Sequence, residues 1–412
     1  MRHFLLRGIM LPAFVAVGHI NAEIQSPGGY STAQTEVPES AWSGGFDYLP
    51  DGRLIVSDNQ DVFIIERDGT HTVVASFEMP GLFGSFVKVA PDGHTVYIGE
   101  STLASGTISE FDLNQGGTRT IGPGTESVVA AIELNYDMEF DPSGRAFVSA
   151  ATPETWQPNR LLLLDPDSGE TELIAIVQGN SGPLDLDEAG NLFYCTSTSY
   201  PPAAVESVIF FPRDKVDEAI AEGHLAESDA LEYISGIFAF SDMVFDGDGD
   251  LFGVTSSGVI VEISAGAENV VERRFASVSP DALGATVVRF LPGTRAFQPY
   301  YQDGGTLTFL ESDFGSFFRL VHVSPSPEFR AISVKPSSEG MNIGFPTEAG
   351  KQYWVYWRDG MGDGRGWQSL GEVIPGHGEP LTVSDVGDEQ AGRPSPNSPS
   401  VKGRFYRIET AQ

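Results

Sequence analysis

One pattern recurs six times between residues 46 and 297: an apolar alternating run, a glycine-bearing turn, then a second apolar run. It occupies residues 46–56, 87–97, 138–148, 184–194, 243–252 and 287–297. Met138-Glu139-Phe140-Asp141-Pro142-Ser143-Gly144-Arg145-Ala146-Phe147-Val148 shows it in full. The turn glycines are Gly52, Gly93, Gly144, Gly190, Gly249 and Gly293, separated by 41, 51, 46, 59 and 44 residues. Alternation at period two marks strands with a buried face, and Pro, Asp and Gly between them mark hairpin turns. Further strand-like runs follow at Val62–Gly69, Leu161–Gly169 and Val259–Ile263, which makes four strands per unit. One such sheet cannot bury both of its faces, so units repeating every roughly 40–60 residues must stack on one another. The expected fold class is all-β, a six-bladed β-propeller over residues 40–330. The interval of 59 has a local cause: Asp214–Glu222 reads as a short inserted helix, with Val216 and Ile220 on one face and Gly223 as its stop.

Near Phe329 the pattern ends. Pro325-Ser326-Pro327 and Pro336-Ser337-Ser338 read as linker material around a strand. Short strand-like runs follow at Met341–Phe345, Gln352–Trp357, Trp367–Gly371, Leu381–Val383 and Arg404–Ile408. Residues 331–412 are expected to form a small antiparallel β-sandwich, with Ala391–Ser400 as a loop before the last strand. At the other end, Arg2 and Arg7 precede an apolar run from Gly8 to Gly18, and Ala22 closes the segment. That order describes a secretory signal peptide over residues 1–22, followed by an N-terminal segment over 23–39. The run is too short to span a membrane and contains Pro12. The expected location is secreted, periplasmic or cell-surface, in a bacterium.

Charge narrows the partners. The 412 residues carry 24 Lys and Arg against 57 Asp and Glu, a formal net charge of −33. Such a field repels phosphate backbones and anionic lipid, which argues against nucleic acid as a partner. It suits cations, basic partners or plain solubility. The single cysteine, Cys195, excludes an internal disulfide and a cysteine-based zinc site. It stands in the strand-like run Leu192-Phe193-Tyr194-Cys195, where it packs as a small hydrophobe.

The repeated Asp-x-x-Gly-x-Leu/Phe-Phe/Tyr hairpins resemble those of six-bladed propellers of the gluconolactonase/SMP-30, NHL-repeat and strictosidine-synthase-like group. The C-terminal stretch, through Tyr353-Trp354-Val355, Trp367 and Arg404-Phe405-Tyr406-Arg407, resembles the fibronectin-III- or Ig-like modules of exported bacterial proteins. The first resemblance implies an axial Ca²⁺ site and lactonase- or lyase-type chemistry at the channel mouth. The second implies attachment, assembly or display.

Candidate chemistry follows from a shared register. Seven residues before each turn glycine stand Gly45, Phe86, Asp137, Pro183, Asp242 and Thr286. Asp137 and Asp242 would therefore sit at one depth, in units three and five, with Asn180 opening unit four between them. Two carboxylates and an amide are hard oxygen donors suited to Ca²⁺, so Asp137, Asn180 and Asp242 form a candidate metal site. The competing reading has both aspartates accepting backbone amides at strand starts. Where the gluconolactonase pattern opens with a glutamate, this chain has Ser43-Gly44-Gly45. Asp246-Gly247-Asp248-Gly249-Asp250 imitates a calcium loop, but position twelve is Ser257, and the run coincides with a turn. No histidine pair has metal spacing, no Gly-x-Ser-x-Gly occurs, and His322 reads as a strand residue. Trp42, Trp156, Tyr200, Tyr300 and Tyr301 could stack on a sugar or pack between blades. The function expected is a secreted propeller for ligand binding or extracellular assembly, its ligand a carbohydrate or another exported protein. The alternative is a secreted metal-dependent lactonase or lyase.

Overall fold

The computed structural model describes residues 30–411 apart from 38–42, 59, 67, 80–82, 102–105, 153–157, 181, 198–205, 224–225, 265–270, 298–302, 327–332, 346, 348–349, 360–367, 378–379, 389–392, 399–400 and 402–403. The expected signal peptide lies outside the described residues, as do Trp42, Trp156, Tyr200, Tyr300, Tyr301 and Trp367.

Six sheets follow one another along the chain, antiparallel throughout except that Arg119–Ile121 adds a parallel edge strand beside His71–Phe77 in the first. Their inner strands are Ser43–Tyr48, Phe83–Val89, Asn135–Phe140, Leu184–Leu186, Phe240–Phe245 and Gly284–Leu291, taken below as belonging to sheets 1 to 6. Each inner strand lies beside the next, and that of sheet 6 lies beside that of sheet 1, so the sheets close a ring about an axis. This is a β-propeller. Six apolar clusters fill the six gaps between neighbouring sheets. Between sheets 2 and 3, for instance, Phe86, Tyr97 and Ile108 meet Met138, Ala146 and Val148. Between sheets 6 and 1, Leu310, Phe318 and Leu320 meet Phe46, Leu54 and Val56. Each large side chain buried this way contributes about 1.5–3 kcal/mol.

Sheet 6 is completed from the other end of the chain. Tyr30–Glu36 pairs antiparallel with Phe318–Pro325 as its outermost strand. The ring therefore begins inside the segment 23–39, ahead of the boundary at 40 that the repeat suggests. A seven-residue strand with no glycine turn of its own leaves no trace in a search for hairpins.

Five turn glycines are equivalent. Gly52, Gly93, Gly144, Gly190 and Gly249 all have φ between +77° and +87°, a backbone that a Cβ strains. A preceding aspartate caps the turn in these hairpins. Asp141 Oδ1 accepts from the Ser143 and Arg145 amides, and Asp246 Oδ1 from those of Asp248 and Asp250. Asp246–Asp250 is thus turn chemistry. The sixth glycine corrects the pattern. Gly293 opens a long connection, residues 292–305, between the strands Gly284–Leu291 and Thr306–Ser312. The positive φ passes to Gly305, at +93°. The insertion sends Phe297 back into the core against Phe252, Phe275 and Phe290.

The helix forms as Arg213–Glu222, with Gly223 left-handed at φ +68° as its stop and Val216 buried. Residues 333–411 form two further small sheets, hydrogen-bonded among themselves. Their apolar faces share one cluster of Ile343, Phe345, Tyr353 and Val355 with Leu381, Tyr406 and Ile408 against it. Arg404 ties this unit together, bonding Asp359 through two nitrogens at 2.7 and 2.9 Å and Asp385 at 2.8 Å.

Candidate functional site on the channel axis

Each inner strand except that of sheet 4 carries a bulge near its start. The extra residues are Gly44, Ser85, Tyr136, Ser241 and Thr286. Just after the bulge stand Gly45, Phe86, Asp137, Asp242 and Val287. Asp137 and Asp242 are therefore register-equivalent, as counting from the turns suggested. In sheet 6 the equivalent residue is Val287 rather than Thr286, because Gly293 is not a true turn glycine. Two residues further along each strand lies a second ring: Asp47, Lys88, Glu139, Asp185, Val244 and Arg289.

The two rings interlock through backbone amides. Asp137 Oδ1 accepts from the Met138 amide at 2.9 Å, and Oδ2 from the Leu184 amide of sheet 4 at 3.1 Å. Asp242 repeats this with Met243 at 3.0 Å and Val288 of sheet 6 at 2.8 Å. Asp47 does so with Tyr48 and with Val89 of sheet 2, and Asp185 with Leu186 and with Phe245 of sheet 5. Each aspartate thus staples its own strand to the next sheet. Between sheets 2 and 3 the link is an ion pair, Lys88 with Glu139.

Arg289 is the cation at the upper pair. Its Nη1 donates to Asp242 Oδ2 and, at 2.8 Å, to the Val288 carbonyl. Its Nη2 lies 3.7 Å from Asp137 Oδ1. All three side chains are buried. Burial, with the Asp242 charge added, pushes the Asp137 carboxyl up to about 7, while Arg289 works the other way. Burial also raises Asp242, against Arg289 and two backbone amides. At Asp185 burial and then the Glu139 charge raise the carboxyl well above its ordinary range. Above the pair, the Tyr136 hydroxyl donates to the Ser241 carbonyl at 2.8 Å, joining the bulges of sheets 3 and 5 across the axis.

Asn180 is held by its own sheet. Its amide donates to the Ser197 carbonyl at 2.7 Å, and its carbonyl accepts the Tyr194 hydroxyl at 2.8 Å. The donor set fits a divalent cation poorly at this point. Both oxygens of Asp137 and Asp242 already accept amides, and a guanidinium lies between the carboxylates. Among the described residues no group of three or more His, Cys, Asp or Glu is placed to hold a metal. Counting seven residues back from the turns missed Arg289 because it stands in the second ring, two residues beyond Val287. It also passed over Asp47, Lys88, Glu139 and Asp185, which lie five residues before their turn glycines.

The remaining candidates resolve as packing. Cys195 is buried on a strand, its sulfur accepting the Phe240 amide at 3.3 Å, and burial pushes its thiol up to about 12. His322 lies in the strand Phe318–Pro325 with a threonine hydroxyl on each ring nitrogen. Among the described residues no helix is long and apolar enough to cross a membrane.

Fold and axis together define the class, a β-propeller with a charged, hydrogen-bonded axial core. No protein-family model and no curated protein matches the sequence. Among solved structures, the chain is similar to a putative oxidoreductase (glucose dehydrogenase) of Thermus thermophilus. The identity is 13% and the TM-score 0.51, over 71% of this chain and 99% of that one. It is also similar to a Trichoderma reesei protein of carbohydrate-active enzyme family AA12, with 10% identity and a TM-score of 0.50, over 76% and 100%. At these identities the likeness shows the fold.

Proposed function

We propose that this protein is an exported, non-catalytic propeller whose axial charges hold the ring together and whose loops and C-terminal sandwich present binding surfaces. One observation carries the reading: the upper carboxylates, Asp137 and Asp242, are engaged by four backbone amides, with Arg289 bonded to Asp242 and beside Asp137. A carboxylate already engaged by its own fold has fewer acceptor sites to offer a substrate or a calcium shell, and the neighbouring guanidinium disfavours a second cation there. The six-bladed, gluconolactonase-like family assignment and the Ig-like nature of residues 331–412 belong to the same proposal. A carbohydrate or another exported protein is the ligand class it expects. The test is an assay of the purified protein on sugar lactones with added Ca²⁺ and after EDTA. Metal-dependent turnover that disappears in a folded Asp137→Asn variant would replace this reading with the enzymatic one.

A further inference from the structure

Sheets 2 and 6 carry a glutamate at the same place in their ladders. Glu100 stands opposite Gly84 and Glu311 opposite Ala285, each just before the bulge. Both are buried, at 1% and 0% exposure. Their surroundings differ. Glu311 accepts from the Ser279 amide at 2.7 Å, Ser279 Oγ at 2.5 Å and Gln34 Nε2 at 3.2 Å, and pairs with Arg319 Nη2 at 2.9 Å. That shell suits an ionised carboxylate. Glu100 accepts from Thr107 Oγ1 at 3.3 Å on Oε2, and its Oε1 is buried without a partner.

The described groups that face Glu100 are neutral. Gly84 faces it from the inner strand and Thr107 from the next strand of its own sheet. The Asn135 side chain, from sheet 3, donates to the Glu100 backbone carbonyl at 3.0 Å. Gly122 closes the remaining side: a Cβ there would lie 3.3 and 3.4 Å from the two carboxylate oxygens, and φ is +116°. Among the described residues no cation pairs with the carboxylate, and burial pushes the carboxyl up to about 7. Gly122 opens the segment 122–127, which joins the strand Arg119–Ile121, on the edge of sheet 1, to Val128–Ala130 of sheet 2. The segment is held by hydroxyls: Gly122 N to Ser109 Oγ at 3.2 Å, and Thr125 Oγ1 to the Gly122 carbonyl at 2.7 Å.

We infer that Glu100 is a buried proton-binding site that controls how segment 122–127 is clamped between sheets 1 and 2. With the proton bound, a neutral carboxyl packs against Gly122 and needs no counter-charge. With the proton lost, a buried carboxylate with one long hydrogen bond must be hydrated. Gly122 is the neighbour that must move to admit water, because the other sides are ladder strands. The folded state holds this proton more tightly than the unfolded chain, so the clamp is firm at acid pH and weakens as pH rises through neutrality.

Hydrogen exchange of the full chain tests this. Between about pH 6 and about pH 8, protection of the amides in 122–127 should fall by about tenfold beyond the intrinsic rise in exchange. Glu100→Gln, which keeps the shape and cannot ionise, should keep its protection across that range. No excess loss in the parent, or the same loss in Glu100→Gln, overturns the inference. Should the variant not fold, carbon NMR of parent protein labelled at glutamate carboxyls decides. One carboxyl should titrate near 7, and titration of every glutamate near the ordinary 4.5 overturns the inference.

Discussion

Arg289 and Asp242 are joined side chain to side chain at the centre of the ring, one from sheet 6 and the other from sheet 5. The same guanidinium reaches toward Asp137 of sheet 3. One cation therefore serves two buried carboxylates from different sheets, and its removal leaves both to their backbone amides and to Lys88. Arg289→Met is expected to lower the unfolding free energy by about 3–5 kcal/mol, the usual cost of breaking a buried pair from one side. Adding Asp242→Asn should recover part of that loss. Urea unfolding at neutral pH checks both, and a parent-like Arg289→Met would show that the pair contributes little.

Because the Arg289 guanidinium already lies beside both Asp137 and Asp242, chelation should change little. With excess EDTA the melting temperature is expected to stay at the parent value, and added Ca²⁺ should not raise it. Differential scanning calorimetry decides this. A Ca²⁺-dependent rise that is lost in Asp137→Asn plus Asp242→Asn would instead support the metal reading of Asp137, Asn180 and Asp242.

The fold was largely legible because a hairpin turn leaves a local signature. Gly52, Gly93, Gly144, Gly190 and Gly249 each need a positive φ, and a nearby aspartate caps the turn, so residue type alone marks these positions. Three things were not legible. The outer strand Tyr30–Glu36 joins a sheet nearly 300 residues away, a pairing with no local cue. The sixth connection looked like a short turn because Pro292-Gly293 mimics one. The axial site was half legible. Two aspartates at one depth were visible from spacing, but their partner was not, since an arginine's reach across an axis depends on ring closure. A pair of aspartates reads as a metal site only while the third charge is unknown.

The lower ring should show the value of the staples. Asp47 takes the Tyr48 amide at 2.8 Å and the Val89 amide of sheet 2 at 2.7 Å. Asp47→Ala leaves two amides short of acceptors at the joint between sheets 1 and 2. The expected loss is about 1–3 kcal/mol. Thermal unfolding of the variant beside Asp68→Ala, an exposed turn residue whose side chain bonds Thr70, gives the comparison. Equal effects would mean that the staple adds nothing beyond an ordinary turn cap.

His322 links the ends of the ring. Its Nε2 meets Thr35 Oγ1 at 3.0 Å, on the outer strand supplied by the N-terminal part of the chain. Its Nδ1 meets Thr308 Oγ1 at 2.8 Å, and Thr308 in turn bonds the Tyr48 hydroxyl of sheet 1. A neutral imidazole satisfies this arrangement with one donor and one acceptor. Burial lowers the ring from the ordinary 6.5 to about 4. The unfolded chain therefore takes up the proton first as pH falls, and protonation favours unfolding. The contribution of His322 is fully present above about pH 6.5 and is lost progressively as pH drops toward 4, by up to about 3 kcal/mol. His322→Asn removes the titrating group. It should be less stable than the parent at pH 7, through lost packing and one lost hydroxyl contact, and the gap should narrow steadily toward pH 4. Urea midpoints of the two proteins, measured side by side from about pH 7.5 to about pH 4, give that difference directly, because every other titration is common to both. A gap that stays constant over this range would mean that His322 is not held neutral in the fold.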